Sequence, residues 1–382
     1  QGKTSPRMID QTLLHNIGVD GLEILGGVVH IETSHSDQAV RQINITELDG
    51  ELSELRLNQT TQLIIKGDLQ IPGQAEKSSW QLQGESSLQL DEDGMLEPHV
   101  DLDLKLRDLD LSTVQSLVNA QPATYSIEGT SDLHLQIKGS PNKSIDFQTG
   151  LSSNNIALRP GPAYASAIHF KNLQASGHLQ VYGDQPGITE LSLQIDESRM
   201  AGSINWAPPG QPFSTTVALF NSVLDLPQVK QWLPDSQSAW RSIKENLRDQ
   251  GSMQIEYAEF KLSEKSATEK EWRIEQLKGE LQRVAWSHEE YPLIEITSLP
   301  FSFANNLWQI SNGQGQLGSL ALKFDGSGER NDNGIILTSL DFAGEALPSV
   351  LLKEWQIPQR ALLTDGKVSI QGHLEGPLDK LN

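Results

Sequence analysis

Residues 129–139 read Gly129-Thr-Ser-Asp-Leu133-His-Leu135-Gln-Ile137-Lys-Gly139, and this stretch decides the fold class. Its apolar residues, Leu133, Leu135 and Ile137, alternate strictly with polar ones. Successive side chains of a β-strand point to opposite faces, so this spacing places all three apolar side chains on one face. The stretch therefore predicts a strand with one apolar and one wet face.

The same alternation recurs along the chain, whereas helical spacing is rare. Further runs are Leu102-Leu104-Leu106, Leu191-Leu193-Ile195, Met253-Ile255-Tyr257, Leu320-Leu322-Phe324 and Val368-Ile370. The intervening residues are mostly Gln, Ser, His, Lys and Asp, as in antiparallel sheets that are solvated on one side. Asp93-Gly94, Asp325-Gly326 and Asp365-Gly366 predict tight hairpin turns between strands. The pattern predicts a mainly β fold, a long antiparallel sheet with few short helices.

The composition excludes several classes of function. The chain has 382 residues, a formal net charge of −21 and no cysteine. Nucleic-acid phosphates are bound by Lys and Arg, and an anionic membrane surface repels an acidic chain, so neither partner is expected. Without cysteine there is no disulfide framework, thiolate metal site or cysteine nucleophile. We expect no cofactor and no metal.

Three helical segments are predicted. Ser112 is placed to cap a helix to Asn119, and Leu226-Pro227 opens a turn that runs to Trp232 before Pro234. The strongest helix is predicted near 236–249, with Asp235 as its N-cap and Gly251 at its exit.

These segments belong to a long internal repeat. An L-x-x-V sequence begins at Leu111, Leu226 and Leu347, and each copy is followed by a glycine, Gly129, Gly251 or Gly366, that opens an alternating strand. A repeat of this kind predicts neighbouring units that cover each other. The predicted organisation is an N-terminal β region at 1–110, repeat units at 111–225 and 226–346, and the start of a further unit at 347–382.

Three stretches resemble ligand-binding motifs, and in each the neighbouring sequence favours a structural interpretation. The fingerprint G-x-G-x-x-G at 313–318 precedes an alternating strand instead of a helix, which favours a hairpin with bulges over a dinucleotide site. The acidic stretch 91–99 lacks a complete calcium loop and favours a solvated hairpin tip. His288-Glu-Glu has no second histidine four residues on. No catalytic residue is therefore assigned, and we expect a protein that is not an enzyme.

Two arrangements could bury the apolar strand faces. Helices are too scarce to cover so many strands, so either two sheets close on each other as a sandwich, or one curved sheet leaves an apolar trough. An open trough suits acyl chains, because each buried CH₂ contributes about 0.8 kcal/mol. The pattern alone favours the sandwich.

The chain shows no signal segment and no run of apolar residues long enough to span a membrane. We expect it to be a soluble piece of a longer protein, with any membrane contact made through parts that lie outside it.

Several segments carry a family resemblance. Residues 17–32, 43–52 and 63–69, together with Gly-Ser-Pro-Asn-Lys at 139–143 and Gly-Pro-Leu-Asp-Lys at 376–380, resemble the AsmA-like periplasmic proteins of Gram-negative bacteria and the related TamB-like group. The likeness runs over most of the chain, and the region 1–110 resembles the start of AsmA-like proteins.

This resemblance implies an elongated, curved antiparallel sheet whose repeated units form a hydrophobic groove. The implied protein is anchored in the inner membrane, reaches through the periplasm, carries phospholipids toward the outer membrane and supports outer-membrane assembly. Its partners are phospholipid acyl chains and envelope proteins. The expected groove-lining residues are Leu133, Leu135, Ile137, Leu191, Leu193, Ile195, Leu320, Leu322, Phe324, Val368 and Ile370.

Two other hypotheses remain. A stack of closed β-sandwiches would act as a scaffold that binds envelope proteins by adding strands at an exposed edge. A carbohydrate-active protein would need clustered aromatic residues and a carboxylate pair, and the eight Trp residues are spread along the chain without an evident platform.

Overall fold

The computed structural model describes most of the chain and divides it into two compact units. The first unit spans residues 1–162 and 166–196, and the second spans 163–165 and 197–382. The described residues are 21–33, 41–54, 56–70, 77–90, 94–112, 115, 125–161, 164, 166–180, 186–208, 210–234, 238–266, 269–288, 291–331, 334–347 and 367–377. The two units follow from how the chain packs and do not test the four segments that the repeat predicts. Those four segments therefore stay a prediction.

The first unit is built from antiparallel strands that pair in chain order. They are β1 (Leu22–Thr33), β2 (Arg41–Leu52), β3 (Thr60–Gln70), β4 (Ser78–Leu90), β5 (Leu96–Asp110), β6 (Ser126–Glu128), β7 (Thr130–Ser140), β8 (Ser144–Arg159), β9 (Ile168–Gln180) and β10 (Gly187–Ile195). β6 and β7 form one line, broken at Gly129, and both pair with β8. β7 also pairs with β5.

The second unit has the same plan with two short helices inserted. Its elements are β11 (Ser198–Trp206), β12 (Ser214–Asp225), α1 (Leu226–Trp232), α2 (Ser238–Asn246), β13 (Ser252–Ser266), β14 (Glu269–His288), β15 (Tyr291–Ala304), β16 (Leu307–Leu317), β17 (Leu320–Asn331), β18 (Gly334–Ala346) and β19 (Val368–Pro377). Each strand pairs antiparallel with the next.

The predicted fold class is confirmed: the protein is mainly antiparallel β with two short helices among the described residues. The paired strands of each unit follow one another in one sheet. A sandwich needs two sheets that face each other, so the preference that the alternation alone gives is wrong. Alternation reports that a strand has an apolar face, and it does not report what covers that face.

β-bulges interrupt many strands, and aspartates on neighbouring strands stabilise some of them. A bulge adds a residue to one strand and bends it. Gly26, Asp108 and Asn312 lie at such points, with φ of 61°, 54° and 54°. Their backbone N–H groups donate to the carboxylates of Asp49, Asp132 and Asp325, at 2.9, 3.1 and 2.8 Å.

The prediction of a hairpin turn at Asp325-Gly326 is wrong. Both residues lie inside β17, and Gly326 pairs with Ile310. The carboxylate of Asp325 accepts a hydrogen bond from the bulge in β16 and does not form a turn. The bulged hairpin expected at 313–318 is confirmed, because β16 and β17 are joined at Gly318-Ser319 just after this bulge.

The repeat has a structural counterpart in both units. The backbone N–H of Leu111 donates to the carbonyl of Gly129 at 3.0 Å, and that of Leu226 donates to the carbonyl of Gly251 at 3.1 Å. In both copies the preceding residue is an aspartate whose side chain accepts a backbone N–H of the first turn. In the second unit the chain thus leaves and re-enters the sheet at the same point, whereas in the first unit β6 already pairs with β8 before Gly129. The third copy falls mostly on residues 348–366, outside the described part.

The helix predictions have different outcomes. The helical turn from Leu226 to Trp232 is confirmed as α1, and the side chain of Asp225 caps it. The helix expected near 236–249 is present as α2, while its expected cap, Asp235, lies outside the described residues. Of the helix expected from Thr113 to Asn119, only Gln115 is described, and it is helical. Its expected cap, Ser112, is itself helical and donates its backbone N–H to Asp110, so the cap prediction is wrong.

We predict that Gly129→Ala destabilises the first unit. Gly129 has a φ of 115°, and a Cβ atom there would lie 2.1 Å from the carbonyl oxygen of Asn155. Strain and overlap together should lower the free energy of unfolding by about 1–3 kcal/mol. Urea unfolding followed by circular dichroism measures the change.

Gly150→Ala is the matched control in the same unit. Gly150 lies in β8, and a Cβ atom there would have nothing within 4 Å. This variant should unfold at the wild-type urea concentration or slightly above it. Equal effects of the two substitutions would contradict the strain assigned to Gly129.

Candidate functional site: the apolar sheet faces

One face of the first unit carries rows of apolar residues that cross its strands. Residues that pair directly in an antiparallel sheet point to the same face. The middle row runs through the paired positions Ile24, Gly50, Ile65, Leu82, Leu104, Leu135, Thr149, Ala175 and Leu193. It extends from β1 to β10 without a charged residue.

Two further rows flank the middle one on the same face. One runs through Leu22, Leu52, Leu63, Gly84, Leu102, Ile137, Phe147 and Gly177. The other runs through Gly67, Trp80, Leu106, Leu133, Leu151, Leu173 and Ile195. We call this three-row surface the first apolar face.

The second unit has a corresponding surface, the second apolar face. One row runs through Gly202, Leu219, Ala258, Leu277, Phe303, Trp308 and Gly328. The next runs through Ser222, Ile255, Gly279, Phe301, Ile310, Gly326, Leu340 and Leu374. A third runs through Val284, Ile296, Gly315, Leu322, Gly344 and Ile370.

Glycines in these rows make room for large side chains of the adjacent strand. An added Cβ at Gly372 would lie 2.1 Å from the ring of Phe342, its partner in β18. At Gly344 it would lie 2.6 Å from the side chain of Leu322. Gly313 of the dinucleotide-like fingerprint has the same role, because an added Cβ there would lie 2.7 Å from the side chain of Leu299.

The expected groove-lining residues share these faces. Leu133, Leu135 and Ile137 occupy one position in each row of the first face, and Leu193 and Ile195 occupy two of its rows on β10. Leu191 lies two residues before Leu193, next to a register shift. That these residues line a ligand groove stays a prediction.

In the second unit, the expected residues lie on β17 and β19. Leu322 and Ile370 share a row through Gly344, while Phe324 pairs with Phe342. Leu320 is only 2% exposed and pairs with Leu317. Val368 pairs with Ala346 at the start of β19.

The sequence pattern missed members of both faces because bulges shift the alternation. The run Met253-Ile255-Tyr257 predicts one face for all three residues. The register shifts after Ile255, so Tyr257 pairs with the half-exposed Phe220 on the opposite face, with ring centroids 5.7 Å apart. Ala258 takes its place on the apolar face. Phe301, Phe303 and Phe342 were missed too, although Phe301 pairs with Gly279 and Phe342 pairs with Gly372.

The opposite faces are polar and internally paired. A row of the first unit runs through Gln83, Asp103, Gln136, Gln148 and Ser176. Lys138 pairs with Asp101 at 2.8 Å and, in the second unit, Lys278 pairs with Glu256 at 2.7 Å. Each unit thus has one apolar face and one mainly polar face, which in the second unit also carries Phe220 and Tyr257.

Most side chains of the first apolar face are half-buried, and the described residues of this unit include no complete helix and no second sheet to cover them. A cluster of Leu109, Leu111, Ile156 and Phe170 is buried at one end of the face. Full burial of a Leu, Ile, Val or Phe side chain contributes about 1.5–3 kcal/mol. Half-buried rows leave part of this gain available to an apolar ligand.

Hydrogen bonds lower the pKa of two carboxyl groups in the described part of the chain. Glu97 is buried and accepts a hydrogen bond from Lys143 at 2.6 Å, which lowers the pKa of its carboxyl. Hydrogen bonds from Ser298 and Gln282 lower the pKa of Glu280. A general acid at neutral pH needs a raised pKa, so neither carboxyl fits that role. No group of three or more His, Asp or Glu residues within the described ranges is placed to hold a metal ion.

Comparisons with known proteins add no relative. A scan of protein-family models, a search of curated proteins and a search of solved structures each found no match. None of the helices in the described ranges has the length and apolar character needed to span a membrane.

We predict that His373 on the polar face of β19 titrates above its ordinary pKa. Its imidazole lies 2.9 Å from a carboxylate oxygen of Glu375 and 2.8 Å from one of Asp341, and these two hydrogen bonds raise the pKa from 6.5. The folded pKa exceeds the unfolded one, so the added stability is complete below pH 6.5. It is lost as the pH rises through the folded pKa.

Proton NMR of the imidazole measures the midpoint, with His373→Gln identifying the resonance. In a variant with Asp341→Asn and Glu375→Gln the midpoint should fall back toward 6.5. A wild-type midpoint at or below 6.5 would overturn this assignment.

Proposed function

We propose that this chain is a segment of a lipid carrier and that its apolar faces hold phospholipid acyl chains. The observation that supports this most directly is the set of uncharged rows crossing the strands of the first unit, with half-buried side chains and no covering layer in the described part. A flexible hydrocarbon chain is the ligand that such a surface fits best. Phospholipid headgroups would remain in water.

In this proposal, acyl chains bind to the apolar rows through non-directional hydrophobic contact. Each CH₂ group moved from water onto the apolar rows contributes about 0.8 kcal/mol, and successive rows offer similar surfaces. A chain can therefore shift from one row to the next without losing a specific hydrogen bond. The net charge of −21 gives no general attraction to anionic headgroups, so binding rests on the acyl chains.

The cellular setting in this proposal comes from the resemblance to AsmA-like proteins. We place the chain in the periplasm, as part of a protein anchored in the inner membrane, where it carries phospholipids toward the outer membrane and supports outer-membrane assembly. Envelope proteins are its proposed partners. No catalytic step is included, because carriage along an apolar surface needs none.

The scaffold hypothesis receives less support from the packing. A closed sandwich would bury its apolar side chains between two sheets, whereas residues such as Leu135 and Phe147 are only half-buried in a unit with one sheet. A carbohydrate platform is not favoured either, since the large apolar residues are spread along rows and alternate with glycine.

We predict that Leu135→Asp abolishes lipid binding. Leu135 lies in the middle row of the first face, and a carboxylate there would be buried without a partner under an acyl chain. Crosslinking to phosphatidylcholine with a diazirine in one acyl chain should fall by at least about tenfold. Circular dichroism checks that the strands remain.

Gln136→Asp is the matched control, because Gln136 is the next residue and points to the exposed polar face. It adds the same charge without touching the apolar rows, so crosslinking should stay within about twofold of wild type. Unchanged crosslinking in Leu135→Asp, with the fold intact, would refute acyl-chain binding on this face.

A further inference from the structure

The helical segment at residues 226–251 leaves the sheet and returns to the same point. Asp225 pairs with Ser252 across β12 and β13, and the N–H of Leu226 donates to the carbonyl of Gly251 at 3.1 Å. The two strands would therefore remain paired without the segment. The segment is an insertion between two paired strands, and the hydrogen bonds of the sheet do not depend on it.

The segment places its apolar side chains on the second apolar face. In α1, Val229 and Trp232 pack against a buried cluster of Leu224, Ile255 and Ala258. In a second cluster, Leu226 and Leu247 are buried with Val284 of β14, and Ile243 of α2 packs against them. Both helices thus contact the rows of β12 to β14 that would otherwise face an acyl chain.

Burial along single rows changes beside this segment. Ile255 is 3% exposed, whereas Phe301, Ile310 and Leu340 of the same row are half-buried. Val284 is 6% exposed, whereas Leu322 and Ile370 of its row are half-buried. The chemistry of each row is the same along its length, so the difference reflects what lies above it.

Polar contacts hold the segment at its base. The buried Gln228 accepts a hydrogen bond from the hydroxyl of Ser198 at 2.6 Å, and that hydroxyl accepts the N–H of Asp225 at 3.0 Å. Lys230 donates to the carbonyl of Leu247 at 2.7 Å and to Asp249 at 3.0 Å, which joins α1 to the end of α2. The contacts with the apolar rows themselves are hydrophobic and non-directional.

We propose that residues 226–234 and 238–251 form a built-in plug that occupies the second apolar face over β12 to β14 and excludes acyl chains from it. This inference rests on the proposed function. Lipid in this unit is held by the rows of β16 to β19 that no described helix covers, and an acyl chain reaches the covered rows only when α1 and α2 are displaced.

The absence of cysteine from the chain makes a single-cysteine test possible. Ile255→Cys samples a covered position and Ile310→Cys an uncovered one in the same row. The probe is a phospholipid whose acyl chain ends in a maleimide, and N-ethylmaleimide measures simple access. In the intact protein, Cys at 310 should react with the lipid probe at least about tenfold faster than Cys at 255.

The plug is then removed. Residues 227–250 are replaced by Asn-Gly, which forms a two-residue hairpin turn between Leu226 and Gly251. Both cysteines should now react with the lipid probe at rates within about twofold of each other. If this variant loses its strand signal, the double substitution Val229→Ser and Trp232→Ser weakens the packing with the segment in place, and Cys at 255 should react several-fold faster.

Equal rates at the two positions in the intact protein would overturn the plug, as would a slow rate at 255 that neither variant raises. Failure of the proposed function is distinguishable from both. In that case N-ethylmaleimide reaches Cys at 310 and the lipid probe does not, in the intact protein and in the variants alike.

Discussion

Each unit depends on keeping the apolar side chains of all its strands on one face of a single sheet. A strand displaced by one residue would turn its apolar set to the wet side and expose charged residues on the other. The rows through Leu135 and Ile137 show the constraint, because every paired position in them is apolar, glycine or threonine. No second layer covers this face in the described part of the first unit, so register alone defines it.

Bulges and glycines adapt the strands to this constraint. Where a strand bends, an added residue shifts the alternation, and an aspartate of the neighbouring strand accepts the N–H group that the bulge exposes, as Asp325 does for Asn312. Where two large side chains would collide, one position is glycine, as in the pair Phe342 and Gly372. The same devices recur in both units, which agrees with the internal repeat in the sequence.

Strict alternation predicted the unbroken strands well. Leu133, Leu135 and Ile137 lie where their spacing places them, and the helical turn from Leu226 to Trp232 is present. The face of Tyr257 was predicted wrongly because alternation counts residues, while a bulge changes how many residues face one partner. The sandwich preference failed for a related reason: the pattern along one strand carries no information about the layer that packs on it.

The packing explains why one chain can contain both open and closed stretches of the same apolar surface. The half-buried rows keep apolar surface that a hydrocarbon chain could bury under the proposed function. In the rows under α1 and α2, the helices already bury that surface. Residues on the polar face form hydrogen bonds and ion pairs with one another, as Lys138 and Asp101 do.

Lipid content of the purified protein tests the central claim most directly. The chain is expressed in the bacterial periplasm, purified without detergent and extracted with organic solvent, and its lipids are counted by mass spectrometry beside an unrelated acidic β protein. The proposal that the apolar faces hold acyl chains requires phospholipid in at least stoichiometric amount with this chain and only traces with the control. A folded protein that carries no more lipid than the control would contradict it.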